Sequence, residues 1–245
     1  MTATIQQTPE FGDLCRQTTW LEKHRSFGSP DLHTREFVGN GCLNSSNSVS
    51  SRFPVAYWGS VAYYQKLLSA EERYWEIHET YQKQSIRNRC RILSANGVLD
   101  LSIPIVKPQG SKTLTKDIRL VDGKPWRLEH WRALSSAYAS SPYFEHYGPE
   151  VQELLERKPI HLIDYLQPMH EKLCSWLDLP IEIQQTKEFR RDYSEDHLKS
   201  FKERLLDTGP VYTQVFREKE AFEADLSMLD ALFNLGPMAR TLLLG

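Results

Sequence analysis

Between Glu76 and Pro108 the chain reads EIHETYQKQSIRNRCRILSANGVLDLSIPIVKP, a polar, cation-rich turn followed by two alternating runs around Asn96-Gly97. An Asn-Gly pair suits a two-residue type I′ hairpin turn, because both central residues there need positive φ. That turn sets Cys90 opposite Ile103, Ile92 opposite Leu101 and Asn88 opposite Ile105. Side chains alternate with period two, so one face of the hairpin is apolar. The other carries Arg87, Arg89 and Arg91, with Asp100 and Ser102 across from them. Upstream, residues 53–58 (FPVAYW) read as a short apolar strand punctuated by Gly59-Ser60. Residues 61–69 then form a helix with Val61, Tyr64, Leu67 and Leu68 on one face, and 74–78 (YWEIH) form the next strand. Strand, helix, strand with short links is a βαβ unit with a parallel pair. Ligands of such units bind at the carboxyl ends of the strands, here 57–60 and 78–81, beside the cation-rich turn.

After the hairpin, 117–121 suits an edge strand, and Pro125 opens a helix over 126–138 with Leu128, Trp131 and Tyr138 in its stripe. SPYFEHY is a short helix stopped by Gly148-Pro149, a third helix covers 150–157, and a fourth runs over 160–177 with Pro168 kinking it. Residues 181–183 offer a strand, Ser194 caps a charged helix through Leu206, and 211–216 offer a final strand. Asp225 caps a last helix that ends at Gly236-Pro237. Residues 1–51 hold scattered apolar positions without period and end in LNSSNSVSS, which predicts a mobile extension ahead of a single main domain over 52–245. The fold class expected is mixed α/β: a small βαβ-type sheet with a long β-hairpin, packed by several helices.

Composition narrows the partners. The chain has 245 residues, 40% of them apolar and 25% charged, with net charge −2. No global basic field draws it to nucleic acid or to a membrane surface. No run reaches the ~18 apolar residues of a membrane span, and the first thirty residues lack the apolar core of a signal peptide. A cytoplasmic location is the expectation. Cys15, Cys42, Cys90 and Cys174 are scattered without C-x-x-C spacing, so neither a zinc site nor a disulfide framework is indicated.

The cation cluster invites an anion. Lys83, Gln84, Arg87, Asn88 and Arg89, with Tyr81 beside them, bring donors of several geometries together. Arginine grips phosphate or carboxylate with two parallel bonds, and lysine adds a point charge. The competing reading is a solvated sheet face paired with Asp100 and nearby glutamates. His78 closes its strand at the expected mouth of the site and is the leading general acid or base, with Glu79 alongside. His130, on the helix beside Trp131, is a second candidate. Cys90 has cationic neighbours that would activate a thiol, but the register sets it on the apolar face, where a free cysteine acts as a small hydrophobe. Asp230 and Asn234 lie four apart on the last helix, one face, poised to bind substrate or to pair with Arg87 or Arg89. No metal is assigned; the cofactor stays open, and since no Gly-rich phosphate loop is present a nucleotide would have to be held by the arginines.

Three blocks in order, HETYQKQSIRNRCRILSANGVLDLSIPIVK, KPWRLEHWRALSSAYASSPYFEHY and QVFREK…DLSMLDALFNLGP, resemble the WbqC-like family of bacterial proteins over about residues 54–240. The resemblance carries Lys83, Ser85, Asn88 and Arg89 in the first block, Trp126, His130, Tyr138 and Phe144 in the second, and Asp230, Asn234 and Gly236-Pro237 in the third. It implies a gene context of O-antigen or other surface-polysaccharide synthesis, or natural-product assembly. The implied chemistry is acyl or aminoacyl transfer to an amino sugar, with a nucleotide sugar or an activated acyl group, free or on a carrier protein, as partner. A non-catalytic ligand-binding or scaffold protein of such a cluster is the alternative. The chain departs from the family pattern at Trp58-Gly59-Ser60, at Ile86 and over 221–225, all on loop rims where substrate identity is set.

Overall fold

The structure is a computed structural model and describes residues 49–201, 210–215 and 222–244. The chain divides into two units, Met1–Ser45 and Ser46–Gly245, and every element named below belongs to the second. The expected extension over 1–51 lies almost wholly outside the described residues, as do Cys15 and Cys42.

The βαβ unit is present, with its strands earlier than their apolar runs suggest. β1 (Ser50–Phe53) leads to α1 (Val61–Ser69) and β2 (Glu72–Trp75), and β1 and β2 pair in parallel. The folded unit therefore begins before residue 52. Residues 54–58 are as apolar as a strand but form a buried loop, because Tyr57 N–H donates to Ile86 O instead of to a neighbouring strand. α1 starts at Ser60, whose hydroxyl accepts from Tyr63 N–H. Gly59 is dictated by close approach: a Cβ there would lie 2.5 Å from the Tyr63 ring. That ring is fully buried, its hydroxyl donating to Pro54 O and accepting from Trp75 Nε1.

β3 (Arg89–Ser94) and β4 (Gly97–Ser102) form the hairpin, with register Cys90↔Leu101 and Ile92↔Leu99. This is two residues from the register expected. Only Gly97 (φ 94°) takes positive φ; Asn96 does not, so Ala95 and Asn96 are the central residues. Ser94 Oγ fixes this turn by accepting from Asn96 N–H and donating to Gly97 O. A shift of two preserves the parity of faces. Cys90 and Ile92 still face the core, and Arg89 and Arg91 still lie across from Ser102 and Asp100.

β5 (Ile105–Val106) pairs with β6 (Arg119–Leu120). α2 (Trp126–Tyr138) has the expected bounds, although Leu128 is exposed and His130 takes an inward position. α3 (Phe144–Glu156) runs through Gly148-Pro149, replacing the two short helices expected. α4 (Leu162–Trp176) carries Pro168 inside it. β7 (Gln184–Gln185) follows the apolar 181–183 run instead of coinciding with it. β8 (Glu195–Asp196) stands where a capped helix was expected; the rest of that stretch beyond residue 201 is outside the described residues. The polar β8 is held by β1, to which it pairs in parallel, and by the Arg52–Asp196 ion pair at 2.7 Å. Residues 210–215 form no strand, and Phe216 is outside the described residues.

α5 (Met228–Leu235) is capped by Ser227, not Asp225, and a short helix, α6 (Thr241–Leu244), follows. The larger sheet has the order β7-β2-β1-β8, all parallel. The fold is mixed α/β, as the sequence indicates. No helix among the described residues is long and apolar enough to cross a membrane.

Candidate functional site

Two loops leave the carboxyl ends of β1 and β2, residues 54–60 and 76–88, and between them and the hairpin lie two clefts that share Gln84. The first, about 70 Å³, is lined by Trp58, Gly59, Ser60, Ser85, Arg89, Arg91 and Asp225 among others. The second, a shallow cleft of about 340 Å³, is lined by Tyr81, Lys83, Gln84, Asn88, Ile105 and Lys107. Both clefts lie at the edge where the parallel-sheet rule places a ligand.

The first cleft is built under backbone strain. Four non-glycine residues among those described have positive φ, and three of them, Trp58 (45°), Gln84 (51°) and Asp225 (59°), line it. Such conformations cost of order 1–3 kcal/mol each and persist where surroundings over-determine them. The fasteners are visible: Ser227 N–H donates to Arg91 O and Met228 N–H to Gly59 O, stitching α5 to the hairpin and to the loop after β1. Tyr57 backs the cleft and is fully buried.

His130 holds Tyr57 in place. Its Nδ1 lies 2.9 Å from the Tyr57 hydroxyl. Burial pushes the imidazole down to about 4. His130 therefore supports the cleft from behind and does not line it.

The arginines are already matched. Arg87 does not share the face of Arg89 and Arg91: it precedes β3, turns inward and is buried. Its Nε donates to Glu79 Oε1 at 2.6 Å, with Ser85 Oγ and Leu198 O as further acceptors. Burial raises the Glu79 carboxyl above its usual range, opposed by the Arg87 charge. Glu79 is thus Arg87's counter-ion. Arg89 bonds Ser102 Oγ at 2.9 Å and lies 3.4 Å from Asp100, while Arg91 lies 3.4 Å from Asp100 and 2.9 Å from Asp225.

Lysine is different. Lys83 and Lys107 have no carboxylate partner among the described residues. The Lys107 ammonium sits 5.1 Å from the centre of the Tyr81 ring, and desolvation and the Lys83 charge lower its affinity for the proton. Asn88 Nδ2 donates to Ile103 O, which fixes the amide orientation and leaves Oδ1 as a buried acceptor without a partner among the described residues. The buried Tyr81 hydroxyl is likewise unpartnered among them. The second cleft therefore collects unpaired charge and unspent hydrogen-bonding capacity. Four residues that the sequence singles out, Tyr81, Lys83, Gln84 and Asn88, meet in it; Lys107 is not among those candidates. Counting outward from the hairpin turn reaches it, because Ile103 N–H bonds Asn88 O and the chain continues alongside.

The remaining candidates lie elsewhere. Asp230 is fully buried and accepts from the Tyr138 and Tyr212 hydroxyls at 2.7 and 2.6 Å. It pairs with neither Arg87 nor Arg89, and burial raises it to about 6. Asn234 Nδ2 returns to Asp230 O within the helix. Cys90 is buried on the apolar face, and burial pushes its thiol well above the usual range. His78 follows β2 by three residues and lines neither cleft; its Nδ1 contacts Thr186 Oγ1 at 3.2 Å.

Residues 56–209 match the WbqC-like protein family. The chain belongs to that family. The family match covers the first two of the three blocks and ends before the third, which holds Asp230, Asn234 and Gly236-Pro237. A curated relative, uncharacterized protein Rv1507c of Mycobacterium tuberculosis (strain ATCC 25618 / H37Rv), is 25% identical over 190 residues, covering 65% of this chain and 81% of that protein. No solved structure matches. The match to the WbqC-like family takes in residues 56–60 of the first loop, all of the second and the whole hairpin, and it ends before Asp225 and Ser227.

Proposed function

We propose that this WbqC-like protein binds a small anionic metabolite between Lys83 and Lys107 and works as a biosynthetic transferase. The reaction in this reading is acyl or aminoacyl transfer to an amino sugar, in surface-polysaccharide or natural-product assembly. The anionic partner is a nucleotide sugar or an activated acyl group, free or on a carrier protein, and the location is the cytoplasm. One observation carries the binding: two lysines without carboxylate partners among the described residues converge beside Tyr81, Gln84 and Asn88 at the carboxyl edge of a parallel sheet. A second reading, a binding or scaffold protein without turnover, is favoured by one fact. His78, Glu79 and His130 do not line the lysine cleft.

A thermal-shift screen of the full chain against nucleotide sugars, nucleotides, acyl-CoAs and amino acids tests the proposal. A ligand at 100 times its dissociation constant adds roughly 2.7 kcal/mol, which is easily seen. The expected stabiliser loses its effect in Lys83→Ala/Lys107→Ala and keeps most of it in Arg89→Ala. A stabiliser indifferent to the lysines, or none at all, overturns the cleft assignment. His78→Ala separates the two readings: turnover of the stabilising ligand lost with binding retained supports the transferase, and no turnover in either protein supports the scaffold.

A further inference from the structure

Glu76 follows β2 directly and is fully buried. A carboxylate out of water is expensive, and its Arg52 partner stands off at 3.7 Å. Closer contacts come from two other groups. Glu76 Oε1 accepts from Thr186 Oγ1 at 2.9 Å and from His78 N–H at 2.8 Å. Thr186 Oγ1 also receives Ile77 N–H at 3.2 Å, and His78 Nδ1 lies 3.2 Å from it.

The protons can be assigned. Thr186 Oγ1 donates to Glu76 Oε1, so its single hydroxyl proton is committed there. The hydroxyl oxygen then has only lone pairs for its other neighbours. It accepts from Ile77 N–H, and the remaining contact requires the proton of His78 to sit on Nδ1. His78 Nε2 is left with its lone pair and has no hydrogen-bond partner among the described residues, and the residue is partly exposed. A carboxylate orienting a base through an intermediate hydrogen bond is the logic by which catalytic imidazoles are held in one tautomer.

We propose that Glu76 and Thr186 are positioning residues that hold His78 as the Nδ1–H tautomer, presenting Nε2 as a proton acceptor for the amine or hydroxyl of an incoming nucleophile. This rests on the transferase reading. The step balances simply: the nucleophile's proton moves to Nε2 as its lone pair forms the new bond to the acyl carbon, and the imidazolium returns that proton to the leaving group. Thr186 belongs to the loop after β7 and meets His78 only because β7 pairs with β2.

Long-range ¹H–¹⁵N spectra of the histidine-labelled full chain read the tautomer without a substrate. The neutral form of His78 should carry its proton on Nδ1, while that of exposed His146 shows the Nε2–H form that a free imidazole prefers. Thr186→Val should return His78 to the free pattern with the other histidine signals unmoved, and Thr186→Ser should retain the wild-type pattern. Diethyl pyrocarbonate, which acylates an unprotonated imidazole nitrogen, should modify His78 ahead of His146 and lose that preference in Thr186→Val. If Thr186→Val does not fold, Glu76→Gln serves: the hydroxyl keeps an acceptor, but loss of the charge should slow acylation of His78. A His78 protonated on Nε2 in the wild type, or a pattern unchanged in Thr186→Val, overturns the proposal. The ligand screen reports on the lysines alone, so a cleft that binds and a relay that fails are told apart.

Discussion

The two clefts on either side of Gln84 are built from one loop and one hairpin, yet their cations differ in kind. On one side Arg89 and Arg91 meet Asp100 and Asp225, and Arg87 behind them is buried against Glu79. On the other, Lys83 and Lys107 converge without an acid among the described residues. Arginine's rigid fork suits a fixed carboxylate partner, whereas a lysine ammonium left in a half-open cleft is a charge still to be matched. A run of cations in sequence therefore divides into structural ions and available ones, and burial does the sorting.

The sharpest way to break this comparison is Glu79→Ala. It leaves the Arg87 charge buried and alone, and urea unfolding should show a loss of about 3–5 kcal/mol; a small loss would mean that Arg87 is free to serve a ligand. Acid comes next. Burial lowers His130 and His170 to about 4, so each contributes stability that is complete above about 6.5 and is lost as pH falls toward 4, about 3 kcal/mol apiece. Asp230, raised to about 6, and the raised Glu79 carboxyl work in the opposite direction. His130→Gln should therefore flatten the fall in melting temperature between pH 6.5 and 4, and because His130 holds Tyr57, it should loosen the arginine cleft and not the lysine cleft. Third, Lys83→Ala/Lys107→Ala should change unliganded stability by no more than about 0.5 kcal/mol, in contrast to the buried Arg87 pair. The smallest effect belongs to Tyr81→Phe. Removing a buried hydroxyl that lacks a partner among the described residues should be neutral or slightly stabilising in calorimetry, and a clear loss would reveal an acceptor supplied by the ligand-free cleft.

Much of the fold is legible in the sequence because it is local. The βαβ order, the two faces of the hairpin and the carboxyl-edge location depend on periodicity and on short links. Parity survives the shift in register, since moving the turn by one position, from Asn96-Gly97 to Ala95-Asn96, moves each cross-strand partner by two. Alternation extended past Asn88 misplaces Arg87, because the strand has not begun there. The partners that decide each cation's role are distant: Asp225 meets Arg91, and Thr186 meets Glu76, across more than a hundred positions of chain. Polar β8 carries no strand signal of its own, as it exists by pairing with β1. No pattern within a window reveals such contacts.

The stitching of α5 also sets an order of assembly. Every residue that lines the lysine cleft lies between 81 and 107, and the strand and backbone partners of Tyr81 and Ile105 are Thr113 and Leu120, so its lining is complete well before α5 is made. The arginine cleft needs Asp225 and Ser227, and Ser227 and Met228 N–H must reach back to Arg91 and Gly59. Until those residues emerge, Arg91 lacks one of its two acids and Gly59 O lacks its donor. The two halves of this surface are therefore completed at different points of synthesis.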